Sequence, residues 1–295
     1  MNLNKAKTIL IIAFAGLNLF LGYYLFWPDF GKLTQVAVTA DDLRLTETIL
    51  NDNNYFLTAN IDRSVQFSDF ITVAPAAKFQ QQLLMKYIDD GASISESGNA
   101  RVYRTDTEVA LVYPSGLVRI HFEPGIVLAD NLLDMETKEL TEKLEAFLRD
   151  NNLMPEGIRF DYLEKSESGR IVFHYYQVAG DLFIYASQLK VITVSDQLSV
   201  VEIYWLEPVE RIPSREMELI SATEALTSFV NELGPSPEER TIEQMKLGFF
   251  SGEYDAEKWE IPPVWRIVLN DNKHFYINAF TGNIEQDIIF PDQQP

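Results

Sequence analysis

Three histidines, His121, His174 and His274, are the only imidazoles in the 295 residues, and there is no cysteine. Together these counts limit what the chain could catalyse. A protein zinc site needs ligands at recognisable spacings, such as two histidines one helical turn apart with a glutamate beside the first. The three histidines lie far apart on separate strand-like segments and fit no such spacing, so each is expected to be an ordinary sheet residue. Ser115 sits in Pro114-Ser115-Gly116, a turn, and not in the Gly-x-Ser-x-Gly elbow that exposes a nucleophile. No glycine-rich phosphate or dinucleotide loop occurs. Asp41-Asp42 and Asp89-Asp90 fall at helix ends, where acids complement the helix dipole or start a turn. The expected chemistry is none: no catalytic residue, no metal and no cofactor.

Charge narrows the choice further. The chain has 24 Lys and Arg against 44 Asp and Glu, a net charge of −20. A surface of that sign repels phosphate backbones and anionic headgroups, which excludes nucleic-acid binding. Without cysteine the chain has no disulfides, and its stability must come from its core.

The elements that position everything else begin with residues 8–27, TILIIAFAGLNLFLGYYLFW, which carry no charge. Twenty helical residues span about 30 Å, the thickness of a bilayer's hydrocarbon core. The run is longer than a signal peptide's apolar region and lacks a well-placed small-residue cleavage site, so it reads as an uncleaved signal anchor. Lys5 and Lys7 precede it and only Lys32 follows closely, which keeps residues 1–7 cytoplasmic and puts the bulk outside the cell membrane. Tyr23, Tyr24 and Trp27 suit the far headgroup region. Ala15, Asn18 and Gly22 share one stripe of this helix, where small residues and an amide favour a second helix.

Beyond the anchor the chain reads as α+β. Residues 28–130 form an N-terminal α+β part, with a helix over Asp41–Leu50 and another opened by Pro75 and running to Ile88. Strands are expected at Ala100–Arg104, Glu108–Tyr113 and Leu117–Glu123. Residues 131–206 form a helix (Leu140, Leu144, Phe147, Leu148) followed by a meander: Ile158–Leu163, Arg170–Val178, Leu182–Ala186, Lys190–Val194 and Val200–Leu206. Residues 207–219, polar with Pro208 and Pro213, read as a connector. Residues 220–295 repeat the pattern: a capping box of Ser221 and Glu224, a helix to Leu233, then strands at Ile242–Phe250, Val264–Asn270 and His274–Ala279. The expected fold is a single transmembrane helix and an extracytoplasmic region of antiparallel sheets. Each sheet is covered by helices on one face, and there are two similar helix-plus-meander units.

Two stretches resemble known families. ISATEALTSFVNEL, MKLGFF and PVWRIVLNDNKHFYINAFTGNIE in residues 220–285 resemble a PepSY-type unit. The full layout resembles the YycI family, relatives of YycH. The signals are the Lys-Thr-x-x-Ile anchor with Leu17-Asn18, then Met245–Phe250, Pro263–Ile267 and Phe275–Gly282. The resemblance implies a non-enzymatic, single-pass membrane regulator of a WalK/YycG-type two-component sensor histidine kinase controlling cell-wall metabolism in Gram-positive bacteria. It implies a YycH-like membrane protein as partner, with Ala15, Asn18 and Gly22 as the contact. The alternative is a PepSY-like module that binds a peptide or restrains an envelope protease. Trp265, Arg266, Tyr276 and Asn278, where the resemblance is sharpest, would then form a partner or peptide surface. Alternation along the strands favours packing for them instead.

Overall fold

The computed structural model describes residues 38–285 except 65–66, 90, 167, 181, 212–216, 253 and 255, together with Lys7, Phe14, Leu17 and Asn18. Most of the run 8–27, with Ala15 and Gly22 of its stripe, lies outside the described residues. No helix among the described residues is long and apolar enough to cross a membrane. The body is α+β, mostly antiparallel, with four α-helices among the described residues.

Local chemistry explains where the helices start. In α1 (Ala40–Asp52) the Thr39 hydroxyl accepts from the Asp42 N–H while the Asp42 carboxylate accepts from the Thr39 N–H. Helix α4 (Ala222–Leu233) repeats the device with Ser221 and Glu224, at the positions the sequence marks. Helices α2 (Ala77–Asp89) and α3 (Thr137–Asp150) complete the set. Pro75 does not open α2. It ends strand β3 (Ile71–Pro75). The Ala76 N–H is held by the Trp205 carbonyl at 2.9 Å, which keeps the chain extended past the proline.

The first unit is an eight-stranded antiparallel arrangement. It contains β4 (Ser93–Ser97), β5 (Ala100–Arg104), β6 (Glu108–Val112), β7 (Val118–Val127), β11 (Gln197–Tyr204), β10 (Leu182–Val194), β9 (Arg170–Ala179) and β8 (Ile158–Lys165), side by side in that order. Leu83 and Tyr87 of α2 and Leu140, Leu144 and Leu148 of α3 pack with Ile120, Phe173 and Val191 on one face. The stretches 182–186 and 190–194 belong to one strand: β10 is continuous, and its register against β9 shifts between Ile184 and Gln188. Ser187 occupies that bulge, donating to Gln177 Oε1 at 2.7 Å and accepting from the Leu206 N–H at 3.0 Å.

The second unit contains β14 (Arg240–Phe249), β16 (Pro263–Leu269), β17 (His274–Asn278) and β18 (Ile284–Glu285). Strand β1 (Tyr55–Leu57) completes it, running parallel to β14 with Tyr55 opposite Arg240. Helices α1 and α4 cover one face, burying Leu50, Leu226 and Phe229 against Trp265, Ile267 and Ile277. Residues 38–61, expected in an N-terminal part, therefore fold with the C-terminal strands. The stretch 207–219 is also more than a connector. Strand β12 (Leu206–Arg211) pairs with β3, and β15 (Trp259–Ile261) adds to the other side of β3. Strands β2 (Phe67–Ser68) and β13 (Met217–Glu218) pair with each other.

Separate sheets were the expectation, but the two units share one 13-stranded sheet because β14 runs parallel to β10 where Phe249 meets Ile184. Gly248 permits that approach. A Cβ there would lie 2.4 Å from Tyr185 Cε2 and 2.7 Å from the Phe183 carbonyl. Gly248→Ala is expected to lower stability by about 1–3 kcal/mol in urea unfolding. Unchanged stability would contradict so close a contact.

Candidate functional site

Strand register places Lys246, Arg266, Tyr276 and Glu285 side by side across β14, β16, β17 and β18. Their neighbours Trp265, Ile267 and Ile277 point into the α1–α4 core, so Arg266 points the other way, toward β8, β9 and β10. Its side chain is 3% exposed. Arg266 Nη2 donates to Asp161 Oδ2 at 2.5 Å, and Asp161 is 17% exposed. The guanidinium carbon lies 4.8 Å from the Tyr185 ring centroid and 5.7 Å from that of Tyr176. Tyr276 stacks on Phe250 at 3.8 Å, and with Tyr185 and Val264 they form a small core of their own.

Two of the three histidines meet here. Tyr162 stacks on His174, centroids 4.3 Å apart and planes within 5°, and meets His274 edge-on at 4.6 Å. Arg266 Nη2 lies 3.2 Å from His274 Nε2. A guanidinium only donates, so the facing ring nitrogen must be an unprotonated acceptor. Burial, with Arg266 and His174 nearby, pushes the His274 pKa down to about 3. His174 Nε2 lies 3.4 Å from Glu164 Oε1, and that contact holds the Glu164 carboxyl below its ordinary value. Burial opposes the charge on Arg266, but Tyr276 and Asp161 outweigh it and raise its pKa. Burial raises the Tyr185 phenol as well.

What the arrangement does chemically is hold a buried cation between the two units of the shared sheet. Asp161 and Tyr162 are adjacent in β8, yet both serve the junction. The β8–β9 register shifts between Phe160 and Tyr162, leaving Asp161 as the extra residue of a bulge. A period-two reading of Ile158–Leu163 cannot reveal that, and no sequence signal marks Asp161 as the partner of Arg266.

The other sequence-selected residues have local work. Trp265 is buried, and its Nε1–H donates to the Ile220 carbonyl at 2.9 Å, tying β16 to the approach of α4. Asn278 Oδ1 accepts from the Phe280 and Thr281 N–H groups, and its amide donates to Glu285 Oε1. Trp265, Arg266 and Tyr276 are thus buried. His121 lies on β7 opposite Val109 and Val200, apart from the other two histidines. The Ser115 hydroxyl accepts from the Leu117 N–H in its turn. Asp42 is a helix cap, with its pKa lowered by Thr39. Among the described residues no cluster of three His, Asp or Glu side chains could hold a metal ion.

Compared with protein families, residues 34–280 match the family described as YycI protein. The chain belongs to the YycI family. Membership points to a membrane-associated regulator of the YycG/WalK kinase system. No curated protein matches the chain. Among solved structures, an uncharacterized protein from Eubacterium rectale ATCC 33656 is similar over 83% of this chain and 98% of its own. Identity is 12% and the TM-score 0.48, a distance at which the likeness says nothing about function.

In this YycI-family chain the junction makes two measurable demands. Asp161→Asn strands the Arg266 charge and should cost about 3–5 kcal/mol in urea unfolding, whereas Asp161→Leu with Arg266→Met should recover most of it. Equal losses in the single and double variants would count against the buried pair. Because the folded pKa of His274 is depressed, its contribution to stability is complete above pH 6.5 and is lost as pH falls toward 3. Between pH 7 and pH 5 the native chain should lose about 2 kcal/mol more than His274→Gln does. Parallel pH profiles would show that His274 is not buried neutral.

Proposed function

We propose that this chain is a single-pass, non-enzymatic regulator of a WalK/YycG-type sensor histidine kinase, with residues 1–7 cytoplasmic and the body outside. In this reading it acts beside a YycH-like protein through its anchor helix and outer surface, and so bears on cell-wall metabolism. The observation that carries the reading is a family match over residues 34–280 directly behind an uncharged 20-residue run. A protein with one anchor can influence a kinase only by contacts that differ between the kinase's states.

The body is suited to pass such contacts on. Val38 is buried, and its N–H is held by the Arg63 carbonyl at 3.3 Å, two residues before α1. Ten residues, 28–37, separate the anchor from that point, a reach of at most about 35 Å. The unit made of α1, β1 and the C-terminal strands is then the membrane-proximal one, and the Arg266 junction links it to the other. The PepSY-like reading of residues 220–295 as a peptide-binding module has one observation in its favour, the open edge of β14 taken up below.

Ala15, Asn18 and Gly22 form the proposed helix contact. Asn18→Leu and Gly22→Leu in the full chain should each weaken association with a YycH-like partner in an in-membrane assay. A loss of about 1–2 kcal/mol, roughly 5- to 30-fold, is expected, with the body still folded. No change in either variant would sink helix-mediated partnering.

A further inference from the structure

One edge of β14 is paired only at its two ends. Ile242 lies opposite Leu269 of β16 on one side and Leu57 of β1 on the other. Phe249 lies opposite Pro263 of β16 on one side and Ile184 of β10 on the other. Strands β1 and β10 therefore occupy the same edge, and among the described residues no strand pairs with it between Ile242 and Phe249. The β1 end is closed by the Thr58 and Ala59 N–H groups on the Ile242 carbonyl, the β10 end by the contact of Gly248 with Phe183. Glu243–Leu247 remain open over about 16 Å of strand. A cavity of about 800 Å³ lies there, walled by Asn60–Arg63 and Phe183, with Met245, Lys246, Leu247 and Trp265 along its floor.

Charge says what the cavity favours. Arg63 and Lys246 are exposed at it, and neither side chain makes an ion pair among the described residues; Lys246 Nζ sits 5.7 Å from the Phe183 ring. Asp62 on the same wall is already engaged, accepting from the Ser64 N–H and hydroxyl at 2.9 and 2.7 Å. Glu243 stands at the β1 end. Two uncompensated cations in a chain of net charge −20 flank a strand edge beside which Ile61, Phe183, Met245 and Leu247 supply apolar surface. We propose that this edge binds an extended segment of another protein, four or five residues long with alternating aliphatic and acidic side chains. The segment adds a strand between β1 and β10. Backbone hydrogen bonds to β14 supply affinity, while Lys246 and Arg63 select the acids. The proposal does not depend on the kinase assignment.

A fluorescein-labelled pentapeptide, Val-Asp-Ile-Glu-Val, titrated by anisotropy against the full chain in lipid nanodiscs tests it. Saturable binding is expected, weakened at least tenfold by Lys246→Glu with Arg63→Glu and at least tenfold by N-methylation of alternate peptide nitrogens. Both substituted residues are exposed, so folding is not at stake. Absent binding, equal binding of the N-methylated peptide, or equal binding of a version with Lys for both acids would overturn it. Tighter binding to Lys246→Val would make Lys246 a guard against stray strands, again overturning it. If deleting residues 287–295 raises affinity tenfold, the chain's own tail is the occupant and the partner reading fails.

Discussion

A guanidinium that is 3% exposed can persist only where its charge is met, and Arg266 is met from the other unit of the protein. Asp161 supplies the carboxylate, Tyr185 and Tyr176 supply ring faces, and His274 supplies a neutral nitrogen. Separate the units and the chain must either hydrate Arg266 or bury it unpaired. The junction therefore disfavours any state in which one unit swings away from the other. It lies on the faces of the shared sheet opposite those that the helices cover.

Chain topology reinforces this. Residues 38–57 and the last strands belong to the same unit. The other unit is inserted between them, held by the β10–β14 contact, by β12 and β15 on either side of β3, and by the arginine junction. On the proposed reading, a force or rotation arriving at Val38 would pass to the other unit through these connections.

Much of this was legible in the sequence, and the reasons differ by element. Apolar spacing gave α1, α3 and α4 to within a few residues, and a capping box marked the start of α4, because those signals are local. The pair of strands expected at Val264–Asn270 and His274–Ala279 was legible too, and in the hairpin that joins them Asn272 takes a positive φ. Partnerships across large separations were not. Nothing in residues 55–57 announces pairing with residues 240–242, and a polar stretch with two prolines gave no hint of β12. The histidines were read as unrelated because their sequence distances are long; the β8 bulge and the packing of the two units bring His174 and His274 together against Tyr162. Arg266 was singled out by resemblance. Its burial fits the alternation of β16, but its partner could not be read from any pattern.

The most direct measurement is denaturant-dependent hydrogen exchange of the full chain in nanodiscs, comparing amides of α3 in the first unit with those of α4 in the second. A body joined through Arg266 should open as one, with both helices exchanging at the same limiting free energy and the same dependence on denaturant. If α4 exchanges through an opening several kcal/mol below that of α3, or the reverse, the units are independent and the junction does not hold them together.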